Sequence, residues 1–172
     1  KDIAWIIHSS DVKSNDTVIE AGGGSGALTT ALAQAAFPNG KIVTFEKNKK
    51  HFEIVKKNLG LSPFSSQVEL RNEELNVQTK SISCNSIILD LPDPQVLINW
   101  AEKSLVLGGK ILCYVPTINQ VEKLLSSLSK WSEIEISEMM QRTWQSKLDA
   151  IRPDTNILGH TGFIVSARLL NK

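Results

Sequence analysis

Three closely spaced glycines, Gly22, Gly24 and Gly26, give this chain its clearest chemical feature. A short apolar run over residues 17–19 precedes them and predicts a buried strand, and the apolar residues from Ala27 onward recur at helical spacing. Glycines in a strand-to-helix turn let the backbone approach a ligand closely, because they have no Cβ. The turn also directs the free N–H groups of the helix start at that ligand. The stretch therefore predicts a nucleotide-type binding site.

Two classes of cofactor are compatible with this loop. Gly22, Gly24 and Ala27 match the G-x-G-x-x-[GA] pattern of dinucleotide-binding proteins. Residues 20–26 match the E-x-G-x-G-x-G loop of S-adenosylmethionine methyltransferases equally well. Both folds use an acidic residue at the end of the next strand to hold ribose hydroxyls, and Glu46 occupies that place. The loop by itself leaves the choice of cofactor open.

Asp90 is a second residue placed for chemistry. It ends the apolar run 86–90, which predicts a buried strand, and Pro92 and Pro94 follow it closely. Two prolines stop a helix and hold the loop stiff. Ligands of open α/β sheets bind at the carboxyl ends of the strands. We therefore expect the Asp90 carboxylate to lie beside the bound ligand.

Charged side chains flank the other predicted strand ends. Glu73 and Glu74 follow the strand predicted over residues 67–71, where they are well placed to accept a hydrogen bond from an adenine amino group. An ordinary polar loop explains them equally well. The lysine-rich run 47–50 begins the helix predicted over residues 47–59, where it opposes the helix macrodipole. A solvated face explains this run better than a polyanionic partner.

Composition excludes several classes of protein. The chain is 41% hydrophobic and 22% charged, which is typical of a soluble globular protein, and no apolar run reaches the length of a membrane span. A net charge of +1 neither supports nor excludes a nucleic-acid partner. Cys84 and Cys113 lie in or beside apolar runs, which indicates small buried side chains in a reducing, cytoplasmic compartment. The three histidines lack metal-ligand spacing, so we expect no metal site.

Helical and strand patterns alternate along most of the chain. Strands are predicted over 17–19, 41–46, 67–71, 86–90, 110–115, 134–140 and 163–170. Helices are predicted over 2–10, 27–37, 47–59, 95–105 and 118–129. This order predicts one domain with a mostly parallel sheet, helices on both faces and a terminal hairpin-like pair. A nicotinamide-binding half would not normally end in such a pair, whereas the Rossmann-like class I methyltransferase fold does, with seven strands in the order 3-2-1-4-5-7-6.

Several motifs, taken in chain order, resemble those of the tRNA (adenine-N1)-methyltransferases of the archaeal and bacterial type. They are the glycine loop 20–29, Phe45-Glu46, the Leu-Asp-Leu-Pro-Asp-Pro run 89–94, the Tyr-Val-Pro-Thr-x-x-Gln-Val run 114–121, Arg142-x-Trp144, Arg152-Pro153 and the Gly-His-Thr-Gly-Phe run 159–163. The resemblance extends from about residue 1 to residue 168. Many methyltransferases share the glycine loop, but runs 89–94 and 159–163 are much more specific.

The resemblance implies S-adenosylmethionine as cofactor and tRNA as partner. Asp90 would be the catalytic residue between the methyl donor and the target base, and Tyr114 would line the base pocket. The implied cofactor-binding residues are Glu20, Gly22, Gly24, Ser25, Gly26, Ala27, Leu28, Glu46, Lys47, Glu73, Glu74 and Asp90. The target would be a T-loop adenine, at tRNA position 58, and the enzyme a homotetramer.

The proposed chemistry agrees with the residue types. N1 of adenine lies on the Watson–Crick edge, so the base must leave its stack to be methylated. A carboxylate such as Asp90 can accept a hydrogen bond from the exocyclic amine and offset the charge gained at N1. Tyr114 or Trp144 could stack on the extruded base, although core packing explains Trp144 equally well. We expect His160 to order its loop through hydrogen bonds.

Three departures from the family pattern keep two other functions open. Gly23 stands where the family often has threonine, and Gln95 stands where tryptophan commonly follows the proline loop. The family's small N-terminal β-rich domain is absent from this chain, which begins at Lys1 without methionine. We expect either that the chain is cut from a longer protein or that it is naturally short, and a short chain would bind tRNA more weakly. The alternatives are a methyltransferase of a small molecule, such as a corrinoid precursor, and a non-catalytic partner subunit.

Overall fold

A seven-stranded sheet forms the centre of the computed structural model, which describes residues 1–171. Its strands are β1 (Thr17–Ala21), β2 (Lys41–Phe45), β3 (Val68–Arg71), β4 (Cys84–Leu89), β5 (Leu105–Val115), β6 (Ser132–Ser137) and β9 (Phe163–Arg168). The strand order is β3-β2-β1-β4-β5-β9-β6, and β9 runs antiparallel to both neighbours. Counted within this sheet alone, β9 is the seventh strand, so the predicted order and the class I methyltransferase fold are confirmed.

Helices cover both faces of the sheet. They are α1 (Asp2–Ser9), α2 (Ala27–Ala36), α3 (Lys49–Leu59), α4 (Ile98–Ser104) and α5 (Ile118–Ser127). Asn48 caps α3 by accepting from the N–H groups of Lys50 and His51, at 2.9 and 3.3 Å. Thr117 and Gln120 form a capping box at the start of α5. The helix predicted from residue 95 instead begins as a 3₁₀ turn over Pro94–Leu97, and only Ile98–Ser104 is α-helical.

The core lies on both sides of the central strands, because adjacent residues point to opposite faces of a strand. Val18 and Ile88 pack in one cluster with α1 and α2, whereas Ile19 and Ile87 pack in the other with α4 and α5. Cys84 and Cys113 are both buried, as the apolar runs around them predict. Burial on both faces explains why these strands are continuous apolar runs rather than alternating ones.

Strand β5 differs most from its predicted bounds. The pair Gly108-Gly109 predicts a turn before a strand from residue 110, but the strand already begins at Leu105. Leu105 pairs with Cys84 and Lys110 with Ser86, so β5 bulges between these two pairs. Downstream, β6 ends at Ser137, and the long polar segment predicted over 142–161 contains only the two-residue strands β7 (Trp144–Gln145) and β8 (Arg152–Pro153).

Candidate active site

The glycine loop joins the end of β1 to the start of α2 and lies against the end of β4. Gly22 has a φ of +96°, and a Cβ on this residue would lie 2.2 Å from the carbonyl oxygen of Asp90. Only glycine therefore allows these two strand ends to approach so closely. On the other side of the loop, Asn58 of α3 donates to the carbonyl oxygen of Ser25 at 2.8 Å. The loop is thus fixed between β4 and α3.

Glu46, at the end of β2, is the acidic residue predicted to hold a ribose. Its Oε2 accepts from the N–H of Gly24 at 3.0 Å, and its Oε1 accepts from the N–H of Asn48 at 2.7 Å. The residue is only 6% exposed. Each carboxylate oxygen can accept a further hydrogen bond, so Glu46 can orient the loop and still receive hydroxyl donors.

A cavity of about 380 Å³ opens beside Glu46. It is lined by Ala21, Gly22, Gly24, Phe45, Glu46, Lys47, Asn48, His51, Glu73, Glu74, Leu75, Asp90, Leu91 and Pro92. Apolar side chains offer a surface for a ring, and carboxylates offer acceptors for hydroxyl and amino groups. The ammonium of Lys47 is 2.9 Å from Oε1 of Glu74, so its charge is already paired. Of the four acidic lining residues, Glu74 is paired with Lys47 and Glu73 lies 3.6 Å from Arg71. Within the described chain this leaves Glu46 and Asp90 without an ion-pair partner, so the cavity has a net negative charge.

A second cavity of about 240 Å³ lies on the other side of Gly22 and Asp90. It is lined by Asp2, Ile3, Ile6, Gly22, Gly23, Gly24, Ser25, Ala27, Leu28, Ile88, Asp90 and Tyr114. Gly22, Gly24 and Asp90 border both cavities. Two ligands, one in each cavity, would therefore meet beside Asp90, which is the arrangement that group transfer between them requires.

The Asp90 carboxyl has few neighbours that favour its charge. Burial raises its pKa above the usual value for aspartate, and the negative charge of Glu46 raises it further. The loop that follows is held by α5, because Gln120 donates to the carbonyl oxygen of Pro92 at 2.8 Å. Asp90 thus lies on a fixed support at the end of a central strand, as predicted for a ligand-contacting residue.

Glu20 has a different position from the one that the glycine motif suggests. Its side chain is buried beneath the loop, where Oε2 accepts from the hydroxyls of Thr29 at 2.6 Å and Thr44 at 2.8 Å. Oε1 has no hydrogen-bond partner within the described chain, and burial raises the pKa of Glu20 to about 7. Among the predicted cofactor-binding residues, Glu20 and Gly26 belong to the lining of neither described cavity. The structure gives Glu20 a supporting role that connects β1, α2 and β2.

Tyr114 forms one wall of the second cavity. Its hydroxyl is 3.4 Å from Oδ2 of Asp2, and burial raises the pKa of the phenol above its usual value. Gly162 lies against the ring, since a Cβ on this glycine would be 2.5 Å from Cζ of Tyr114. The neutral phenol is therefore a flat surface held between α1 and the start of β9.

Trp144 and His160, two residues that the sequence singles out, lie outside both cavities. Trp144 lies in β7 and is 62% exposed, so it is not a core residue, and it lines neither cavity. His160 makes the hydrogen bonds expected of a residue that orders its loop. Its Nε2 is 2.8 Å from the carbonyl oxygen of Pro116, and its Nδ1 contacts the carboxylate of Glu138. That prediction is confirmed.

Several site residues were not predicted. Thr29 and Thr44 donate hydrogen bonds to Glu20. The sequence could have indicated them, because a threonine at a buried position of a helix or strand needs a buried hydrogen-bond partner. Asp2 and His51 line the two cavities, but nothing in their sequence neighbourhoods distinguishes them from surface residues. Across residues 1–171, no group of histidine, cysteine and acidic side chains has the arrangement of a metal site. The helices of the same residues are all too short or too polar to cross a membrane.

Curated relatives match nearly the whole chain. The tRNA (adenine(57)-N(1)/adenine(58)-N(1))-methyltransferase TrmI of Methanocaldococcus jannaschii is 33% identical over 98% of this chain, which spans 70% of that relative. The tRNA (adenine(58)-N(1))-methyltransferase catalytic subunit TRM61 of Candida albicans is 29% identical over 88% of the chain. Here the chain spans only 48% of the relative, so it corresponds to less than half of the fungal subunit.

Solved structures agree on the fold. An S-adenosylmethionine-dependent O-methyltransferase of Thermotoga maritima has a TM-score of 0.93 at 27% identity, with 99% of this chain and 65% of that one covered. The tRNA (m1A58) methyltransferase TrmI of Aquifex aeolicus has a TM-score of 0.87 at 26% identity, over 99% and 69%. A precorrin-6Y methyltransferase of Geobacter metallireducens, at 14% identity and a TM-score of 0.78, shares the fold alone. Residues 1–152 match the family described as the GCD14 subunit of the tRNA methyltransferase complex, and the chain therefore belongs to that family.

Proposed function

We propose that this chain transfers the methyl group of S-adenosylmethionine to N1 of a T-loop adenine, at position 58 of tRNA. The observation that carries the proposal is the position of Asp90, which borders both cavities. The relatives from M. jannaschii and A. aeolicus are both named as methyltransferases of adenine 58 in tRNA. Those relatives match almost the full length of this chain, which supports the same reaction here.

The cavity beside Glu46, which we call the cofactor cavity, has a charge pattern that suits S-adenosylmethionine. Glu46 would accept from the ribose hydroxyls, and Glu73 or Glu74 would approach the adenine ring. When bound, the cofactor supplies an electrophilic methyl group on a positively charged sulfur. Glu46 and Asp90, the two lining carboxylates without an ion-pair partner in the described chain, favour such a cation and disfavour the pyrophosphate of a dinucleotide. This charge pattern favours one of the two cofactor classes that the glycine loop leaves open.

The second cavity suits a flat base that has left its stack. Tyr114 provides an aromatic surface, and Ile3 and Leu28 provide apolar walls. Ser25, Ala27 and Leu28, which the family resemblance assigns to the cofactor, line this second cavity and not the cavity beside Glu46. Neutral adenine has a lone pair on N1, which attacks the methyl carbon as the bond to sulfur breaks, so no proton has to leave N1 first. The carboxylate of Asp90 accepts from the exocyclic amine and stabilises the positive charge that develops on the ring. The stiff loop after Asp90 maintains the alignment that in-line displacement needs.

We further propose that copies of this chain assemble as a homotetramer and act in the cytoplasm. Large apolar side chains in β6 and in the segment between β6 and β9 are exposed: Ile134, Ile136, Met140, Trp144, Leu148, Ile151, Ile157 and Leu158. An apolar surface of this kind is stabilised when another copy covers it. Analytical ultracentrifugation should give a mass of four times the 19.0 kDa of one chain. A monomer at all concentrations would contradict the assembly.

The direct test is methyl transfer from labelled S-adenosylmethionine to an unmodified tRNA transcript. We expect labelled 1-methyladenosine at position 58, identified by mass spectrometry of the nucleosides. A transcript with guanine at that position is the matched control and should remain unlabelled. Binding of the cofactor without label on the natural transcript would contradict the proposed substrate.

A further inference from the structure

His160 lies between two groups that can only accept hydrogen bonds. Its Nε2 is 2.8 Å from the carbonyl oxygen of Pro116, and its Nδ1 contacts the carboxylate of Glu138. Neither a carbonyl oxygen nor an ionised carboxylate has a hydrogen to donate. Both ring nitrogens must therefore carry hydrogen, and the shared proton lies on the imidazole because it is more basic than a carboxylate. His160 is an imidazolium while both hydrogen bonds are made.

These two hydrogen bonds connect three segments of the fold. Pro116 follows the end of β5, Glu138 follows the end of β6, and His160 precedes the start of β9. The ring of His160 also packs on Phe163, with 4.8 Å between the ring centroids. His160 therefore fixes the chain just before β9 onto the chain just after β5.

The segment that His160 fixes lies directly on Tyr114. A Cβ on Gly162 would be 2.5 Å from Cζ and 2.8 Å from the hydroxyl oxygen of the tyrosine, so the backbone of Gly162 sets where the ring can lie. Between His160 and Gly162, the hydroxyl of Thr161 accepts from the ammonium of Lys1 at 2.5 Å. The same ammonium is 2.8 Å from Oδ1 of Asp2, whose other oxygen faces the Tyr114 hydroxyl.

We propose that His160 is a positioning residue for Tyr114: it holds the backbone of Gly162 against the tyrosine ring through two hydrogen bonds, and it makes both of them only while its imidazole is protonated. His160 itself lines neither cavity within the described residues, so its effect on the second cavity passes through Gly162 and the ring. The effect of the Tyr114 position on catalysis rests on the proposed function, which assigns the second cavity to the substrate base.

The charges around His160 give the direction of its pH dependence. The carboxylate of Glu138 and the carbonyl of Pro116 raise the pKa of His160, whereas desolvation and then the ammonium of Lys1 lower it by less, and the net shift is upward. Because the folded pKa lies above the ordinary 6.5, both hydrogen bonds are complete below that pH. One of them is lost as the pH rises through the folded pKa, and Gly162 is then held less firmly.

The composition of the chain makes this testable without cofactor or RNA. The sequence has one tyrosine and three histidines, so ring-labelled tyrosine gives NMR signals for Tyr114 alone. We expect these signals to shift between about pH 5.5 and about pH 9 with the same midpoint as the His160 ring signals, above the ordinary histidine value. In His160→Gln the shift should disappear, and the spectrum at low pH should resemble that of the wild type at high pH.

Two further variants make the titration specific. His8→Gln removes an exposed histidine of α1 that lines neither described cavity, and it should leave the Tyr114 titration unchanged. Glu138→Gln keeps an acceptor but removes the negative charge, so the midpoint should move to lower pH. Tyr114 signals that do not follow His160, or that titrate equally in His160→Gln, would overturn the proposal.

Kinetics then separate this proposal from the proposed function. If the wild type methylates tRNA, His160→Gln should raise KM for tRNA about 5-fold or more, while the Kd of the cofactor changes by less than about 2-fold. A Tyr114 titration that depends on His160, in a protein that methylates no tRNA, would contradict the proposed function and support the positioning role. Equal KM values for variant and wild type would show that the position of Tyr114 does not affect the substrate.

Discussion

At the scale of the residue, Asp90 would contribute charge rather than proton transfer in the proposed reaction, since N1 of adenine already has a free electron pair. Asp90→Asn keeps the shape of the side chain but removes its charge. We therefore expect the rate of methyl transfer to fall roughly 10²- to 10³-fold while the Kd of the cofactor stays within about 3-fold. Single-turnover kinetics with saturating cofactor would measure this.

The matched control for Asp90 is its neighbour in the same loop. Asp93 contacts Gln95 at 3.0 Å and is absent from the lining of both described cavities. Asp93→Asn should leave the rate nearly unchanged. If both variants have the same rate as the wild type, the Asp90 carboxylate has no catalytic role.

Glu20 makes the stability of the fold depend on pH. Its folded pKa of about 7 lies above the ordinary 4.5, so the folded state binds the proton more tightly than the unfolded state, and stability is lost as the pH rises through this interval. Glu20→Gln imitates the protonated acid. Relative to wild type, we expect it to gain about 3 kcal/mol in the free energy of unfolding between about pH 4 and about pH 8.

Urea unfolding at several pH values would measure that gain. Glu53→Gln, on the exposed face of α3, is the control and should show no such trend. A difference between Glu20→Gln and wild type that is the same at every pH would show that Glu20 has the same pKa in the folded and unfolded states, which would contradict the prediction.

The position of Glu20 was partly predictable from strand alternation. The glycine motif includes it in the cofactor loop, but Val18, two residues earlier, faces the α1–α2 side of the sheet, and residues two apart share a face. Glu20 therefore points under α2, towards Thr29, rather than into the cofactor cavity. A motif records which residues recur at a site, whereas the period of the strand determines where each side chain points.

At the scale of the element, the close contact of β1 with β4 depends on Gly22. Gly22→Ala would place a Cβ 2.2 Å from the carbonyl oxygen of Asp90, in a backbone conformation that alanine disfavours. We expect a loss of about 1–3 kcal/mol in the free energy of unfolding and at least a 10-fold weaker affinity for S-adenosylmethionine, because the loop must move. Thermal unfolding and isothermal titration calorimetry would measure the two effects.

Gly159 offers the control, because a Cβ on it would meet no atom within 4 Å. Gly159→Ala should leave both stability and cofactor affinity nearly unchanged. Cofactor binding by Gly22→Ala that equals the wild type would mean that the strand ends can separate without affecting the cavity.

The elements were predictable where burial decides them. The central strands are apolar runs because they are covered on both faces, and this is why β1, β2 and β4 were located correctly. The start of β5 was not predicted because Gly109 resembles a turn residue. Gly109 instead lies within the strand, close to the carbonyl oxygen of Asn85, and a Cβ on it would be 2.7 Å from that oxygen. The sequence has no apolar pattern that predicts the pairing of β7 with β8, since none of their four residues is fully buried.

At the scale of the whole molecule, the second cavity is made by residues that are distant in sequence. Asp2 of α1 and Tyr114 of β5 meet there, and Gly162 covers the ring because β9 returns antiparallel beside β5, with Tyr114 opposite Ile164. Local patterns predict the elements but not which loop closes over which strand end. The resemblance to a family included Tyr114 but gave no role to Asp2.

The four acidic residues of the cofactor cavity also predict how ligands stabilise the whole fold. The cavity walls come from the ends of β1, β2, β3 and β4, so a ligand bound there stabilises the centre of the sheet. S-adenosylmethionine at about 100 times its Kd should raise the free energy of unfolding by about 2.7 kcal/mol. The dinucleotide NAD, whose pyrophosphate would bring two negative charges into this acidic cavity, should give no measurable increase at the same concentration. Thermal unfolding with each ligand compares them directly, and equal stabilisation by NAD would mean that the charge of the cavity does not select the cofactor.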